Sequence, residues 1–199
     1  YRAVGSPPAS WFIDDLMLYL GQPYYVGLLS AAAIHGAAHQ QPMVFQVVTS
    51  RPTREIRVGR VTIHFSMSSR VEQFPVVQLQ TETGTMRVAT PETTAFDLVR
   101  YPAGSGYLSN AATVLYELAV RLTADALIAI APLVRLPDVQ RLGYMLDAVG
   151  HGEIAAPLFK WLVPRQPRVV LLLPGGGHTD VIPDHRWRVL PNVEIEVDI

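Results

Sequence analysis

The apolar pattern changes period along this chain. Between Met43 and Ala89 the apolar residues fall in short strand-like runs, while before Met43 and from Thr90 to about Trp161 they recur every three or four positions. Met43 to Thr49 (MVFQVVT) is a mostly apolar run. Glu55 to Val58 and Val61 to Phe65 flank Gly59-Arg60, a hairpin signal, with Val61, Ile63 and Phe65 on one face and Thr62 and His64 on the other. Val76 to Gln80 and Thr85 to Ala89 flank Glu82-Thr83-Gly84, a second hairpin. Four or five strands in one largely antiparallel sheet are expected. Residues 168–173 (RVVLLL) read as a buried strand rejoining that sheet, and Trp187 to Leu190 and Val193 to Val197 as two short final strands.

Helices surround this block. Ser10 is placed to cap a helix from Trp11 to Leu20 whose inner face is Phe12, Ile13, Leu16, Met17 and Leu20. Tyr24 to Gln41 (YYVGLLSAAAIHGAAHQQ) reads as a central helix rich in small residues, with Leu28, Leu29, Ala32 and Ala33 on its buried face. Thr90-Pro91-Glu92 is a helix start, with a capping hydroxyl, a proline at the first position and an acid at the positive end of the dipole. That helix is expected to reach Tyr101, turning Ala95, Phe96 and Val99 inward and Asp97 and Arg100 outward. Further helices are expected around Ala111 to Leu122, from Thr123 to Ala131, from Pro137 to Gly150, and from Glu153 to Trp161 despite Pro157. The fold class is therefore α+β: a mixed, largely antiparallel sheet packed by several helices, with a helical layer from the C-terminal half.

With 49 % hydrophobic residues, the 199-residue chain can fill a sizeable core. No apolar run reaches the roughly 18 residues of a membrane span, and the start lacks an export leader, so a cytoplasmic protein is expected. The absence of cysteine excludes disulfides, cysteine-bound zinc and thiol catalysis. A net charge of -1 lacks the positive excess of a dedicated nucleic-acid binder. Charge is nevertheless concentrated: Arg51, Arg54, Arg57, Arg60 and Arg70 stand against Glu55 alone in residues 51–70. These five arginines are the candidate anion or partner contact, because guanidinium groups bind phosphate or carboxylate through paired hydrogen bonds. A charged edge protecting a sheet is the plainer alternative.

Other constellations carry less. His35 and His39 have the i, i+4 spacing of two metal ligands, but Gly36 stands where HExxH has its glutamate, and the third ligand, His64 or Asp97, is only a guess. Gly175-Gly176-Gly177-His178 follows an apolar run yet lacks the helix and lysine of a phosphate loop. Ser30 and Ser69 have no nucleophile elbow around them, and Glu92 and Asp97 are spaced onto different sides of a helix. No catalytic residue, metal or cofactor is assigned.

Four blocks in order, WFIDDLMLYLGQPYYVGLLSAAAIHGAAHQQP, RVATPETTAFDLVRYP, RLGYMLDAVG and HRWRVLPNVEIEVDI, resemble the C-terminal region of AbiEi-family antitoxins. The resemblance implies a bacterial type IV toxin-antitoxin system, associated with phage resistance, in which a non-enzymatic antitoxin counters a nucleotidyltransferase-like AbiEii toxin and represses its own operon. Repression in the family uses an N-terminal winged helix-turn-helix, and residues 1–10 are too short to hold one. They are read as a linker from a missing DNA-binding domain, with 11–199 a single AbiEi-like C-terminal domain. Operator DNA would then be a partner only through the missing part. The alternatives are a stand-alone metal- or nucleotide-dependent enzyme and a DNA-binding regulator without a toxin partner.

Overall fold

A computed structural model describes residues 6–37, 43–177 and 180–196. Strands β1 (Tyr24–Val26), β2 (Phe45–Thr49), β3 (Ile56–Val58), β4 (Val61–Met67), β5 (Val76–Gln80) and β6 (Thr85–Ala89) form one sheet in the order β3-β4-β2-β1-β6-β5. The hairpins β3/β4 and β5/β6 are antiparallel, as is β1/β2. The pairs β2/β4 and β1/β6 run parallel. Helices α1 (Ile13–Leu20), α2 (Leu28–Ile34), α3 (Pro91–Arg100), α4 (Tyr107–Leu118), α5 (Ala124–Ile130), α6 (Leu136–Ala148) and α7 (Gly152–Leu162) complete the α+β architecture. Pro157 sits inside α7 without ending it.

The first correction concerns the small-residue stretch. Tyr24–Val26 is a fully buried strand between β2 and β6, and the helix begins only at Leu28. The aromatic and β-branched residues YYV suit a pleated surface, and Leu28, at φ 50°, makes the corner between strand and helix. The buried face of α2 is also rotated: Leu28, Ser30, Ala31 and Ala32 are covered, while Leu29 and Ala33 are partly open. Its thin side chains let it pack between α3, α4 and β2. Beyond Ala37 the expected helix runs into positions 38–42, which lie outside the described residues.

The second correction concerns α3. Every residue from Glu92 to Val99 is buried, so the helix has no solvent face, and the outward placement expected of Asp97 and Arg100 does not occur. Neighbours α2, α4, α5, α6 and β6 enclose it. Its polar residues survive burial because each finds a partner. Thr93 Oγ1 donates to Pro75 O (3.0 Å), and Thr94 Oγ1 to Thr90 O (2.8 Å). Thr90 accepts from the Thr93 N–H as the cap anticipated. Glu92 accepts from Thr123 N–H (2.9 Å) and Thr123 Oγ1 (3.2 Å), tying α3 to the start of α5.

At the N-terminal side Ala9–Trp11 is a 3-10 turn and Phe12, not Ser10, stands at the cap of α1. At the other end, residues 168–173 do not rejoin the main sheet. Strand β7 (Val170–Leu171) pairs parallel with β8 (Val189–Leu190) in a separate two-stranded sheet beside α6. Trp187 anchors this unit: it is 0 % exposed, and its ring fills the space over Gly143 of α6. The ring is fixed by Nε1–H donating to Asp147 Oδ2 (2.6 Å). Residues 193–196 form no strand, and Val197 lies outside the described residues.

Candidate functional site

The five arginines are all exposed, and β3 and the loops at its two ends carry four of them. Arg51 and Arg54 lie in the loop from β2 to β3. Arg60 lies in the β3–β4 turn, where its backbone N–H donates to Ser6 Oγ (3.0 Å). Arg57 points to the opposite face of β3 from Ile56 and Val58, and it pairs in register with Thr62 of β4. Its Nε and Nη2 donate to Glu55 Oε1 at 3.1 and 3.0 Å. Both partners are open to water, Arg57 at 77 % and Glu55 at 39 %, so this pair holds little energy and yields readily to a competing anion. Arg70 is placed elsewhere. Its Nη1 donates to Pro132 O (3.1 Å) and Leu133 O (3.3 Å) at the end of the turn after α5.

A polar centre that the sequence did not signal lies under the sheet. Asp97 Oδ1 accepts from Tyr25 OH (3.2 Å) and Arg100 Nη1 (3.1 Å). Arg100 Nη2 donates to Ser68 Oγ (3.3 Å), and the guanidinium lies 4.8 Å from the Phe74 ring and 5.1 Å from that of Tyr101. Tyr101 OH donates to Met67 O (2.8 Å). Asp97 Oδ2 has no partner among the described residues, and Gly27 lies against it. A Cβ at Gly27 would stand 3.2 Å from that oxygen and 3.1 Å from Tyr25 and Val48, so only glycine closes the backbone over the carboxyl without displacement.

Desolvation dominates the electrostatics here. Burial pushes Asp97 up to about 7 against the opposing pull of Arg100 and Tyr25. Burial raises Tyr25 well above the usual phenol value, with Asp97 adding to it, and pushes Tyr101 up to about 12. Burial pulls Arg100 down, and Asp97 together with Tyr101, Tyr25 and Asp138 more than restores it. Asp97 is fully buried, and the arrangement orders α3 against β1 and the end of β4.

The remaining candidates take structural positions. His35 Nε2 lies 2.7 Å from Ala89 O; a carbonyl only accepts, so the ring donates from Nε2 and spends that nitrogen on the end of β6. His39 lies outside the described residues, His64 is exposed, and Asp97 is sealed away. Among the described residues no three His, Cys, Asp or Glu side chains are grouped to hold a metal. Ser30 Oγ accepts from Gln46 N–H (2.9 Å), which makes it a link between α2 and β2. Around the glycine run, Asn192 Oδ1 accepts from Leu173 N–H (2.9 Å) and Nδ2 donates to Leu173 O (3.0 Å), so a side-chain amide continues the ladder there. No helix follows the run among the described residues; His178 and Thr179 are outside them. No helix among the described residues is long and apolar enough to cross a membrane.

Comparison with known proteins agrees with this architecture. The chain is similar to the crystal structure of the RV2827C protein from Mycobacterium tuberculosis, with a TM-score of 0.61 and 14 % identity over 89 % of this chain. At that identity the likeness speaks for the fold. The chain spans 65 % of the length of that mycobacterial protein. No curated protein sequence matches. The family model of the AbiEi antitoxin C-terminal domain matches residues 25–148, from the buried β1 through α3 and its polar centre to the end of α6. With more than half of its length matched, the chain belongs to the AbiEi antitoxin family, as a bearer of that family's C-terminal domain.

Proposed function

We propose that this domain is the toxin-opposing part of a type IV antitoxin, acting by macromolecular contact and without catalysis of its own. The observation that carries this reading is the family match across residues 25–148. The toxin is a nucleotidyltransferase-like AbiEii protein, and repression of the shared operon is the work of a winged helix-turn-helix to which residues 1–10 lead. That the similar mycobacterial chain extends well beyond the matched part supports a larger whole of this kind. The sealed Asp97 centre and the structural uses of His35 and Ser30 favour a contact role over the stand-alone enzyme. Within the domain, the edge carrying Arg51, Arg54, Arg57 and Arg60 is the contact surface, with Arg70 apart from it at the turn after α5. Its guanidinium groups suit carboxylates of a toxin or phosphates of a nucleic acid.

Growth rescue tests the central claim. The toxin encoded beside this gene is expressed alone and with residues 1–199, whose folding is checked by circular dichroism. Restored growth with the folded domain is the expected result. Continued arrest in the presence of folded, abundant domain overturns it.

A further inference from the structure

A second basic site lies outside the family-matched segment, where the end of α7 meets β7 and β8. Here a cleft of about 450 Å³ is lined by Arg168, Arg186, Arg188 and His185 over an apolar floor that includes Phe159 and Leu162. That volume falls within the range of small-molecule sites. The positive charge is not cancelled from within. Arg186 Nη1 bonds both Asp147 oxygens at 3.1 Å, but the Arg168 and Arg188 side chains have no ion-pair partner among the described residues. Asp184, the other nearby acid, accepts from the Trp187 N–H (2.6 Å).

The backbone under the two free arginines is built, not loose. Gln140, 1 % exposed on α6, donates from Nε2 to Arg168 O (2.8 Å), Trp187 O (2.9 Å) and Arg188 O (3.4 Å). One buried amide thus fixes two arginines from separate segments beside one cleft. Arg188 is also held at φ 55°, and Gln166 in the same wall at φ 47°, a left-handed conformation that side chains adopt only when the surroundings impose it. The floor offers ring surface as well. Phe159 meets Trp187 edge-on at 5.5 Å, and the Arg186 guanidinium lies 5.3 Å from both rings.

We propose that this cleft binds a phosphate ester carrying a flat aromatic group, the chemistry of a nucleotide, with Arg168 and Arg188 on the phosphate and the Phe159 side of the floor under the ring. Guanidinium forks match phosphate oxygens, and a ring floor beside them selects an aromatic ester over a bare anion. The site is independent of the antitoxin reading and of the β3 arginines. The nucleotide is either free or at the 5′ end of a strand.

Calorimetry on the 199-residue chain at low salt separates these sources. The probes are adenosine monophosphate, adenosine, inorganic phosphate and a 5′-phosphorylated hexanucleotide. Saturable binding of the monophosphate, much tighter than adenosine or phosphate, is expected, and tighter binding of the hexanucleotide assigns the site to strand ends. The variant Arg168→Ala with Arg188→Gly removes both free charges, and the glycine keeps the left-handed turn. It is expected to weaken binding about tenfold or more. Val163→Glu, on an exposed wall position, sets a carboxylate against the phosphate and is expected to weaken it likewise. Absence of saturable binding, adenosine binding as tightly as its monophosphate, or unchanged affinity in both variants overturns the proposal.

Discussion

Asp97 is the residue whose environment departs furthest from what its sequence neighbours suggest. A carboxyl held near 7 when folded, against 3.8 as its ordinary value, binds its proton more tightly in the folded state. The stability it contributes is therefore complete below about pH 4 and is lost as pH rises through about 7, at a limiting slope of about 1.4 kcal/mol per pH unit. Asp97→Asn is expected to flatten that part of the stability curve, because an amide has no proton to lose there. Urea unfolding at several pH values between 4 and 8 decides it, and equal slopes in the two proteins would show that Asp97 does not titrate there. Helical periodicity could not reveal this residue. It sorts side chains into an inner and an outer face, and α3 has no outer face. The polar residues of PETTAFDLV were legible as polar, but several of their partners come from distant segments, among them Pro75, Thr123 and Tyr25.

Elements are joined here by single contacts that substitutions can break one at a time. Glu92 closes the start of α5 from inside the core, so Glu92→Ala leaves the Thr123 N–H and hydroxyl without their acceptor. A loss of roughly 1–3 kcal/mol is expected, read as a shift in the denaturant midpoint; a change under a few tenths would mean that solvent replaces the carboxylate freely. Gly143→Ala sets two effects against each other. Alanine favours the helix by up to about 1 kcal/mol, but its Cβ would fall 2.2 Å from a Trp187 ring carbon that has nowhere to go. The clash is expected to win, with a net loss of roughly 1–3 kcal/mol and a shift in tryptophan emission as the ring leaves its site. The hairpins and most helices were readable because their turns and caps are local, as at Gly59-Arg60 and Thr90-Pro91. The strand YYV was not, since three residues ahead of a helix-forming run show no alternation. Only the partners β2 and β6 on either side reveal it as a strand. Nor does RVVLLL state which strand it pairs with.

Across the whole molecule two clusters of arginines stand apart, one on the β3 edge and one at the cleft beside α7, joined by no common segment. Arg54→Ala, Arg57→Ala and Arg60→Ala combined should leave thermal stability within about 0.5 kcal/mol of the parent. The same triple variant should weaken the complex with toxin or operator-bearing antitoxin in a salt-dependent way. Unaltered affinity for both in pull-down and gel-shift titrations would reduce the edge to a guard against strand pairing. The β3 cluster was legible as a run of arginines, whereas the cleft arginines are split between 168 and 186–188 and meet only through Gln140. The position of Trp187 also has a meaning in time. Its ring completes a layer with α6 and α7, which are both made earlier. On the ribosome that layer must wait, with the Gly143 side of α6 uncovered, until position 187 has left the exit tunnel. Synthesis halted before that point would release a chain with its sheet formed and an apolar helix face still bare, a form suited to recognition by chaperones and proteases.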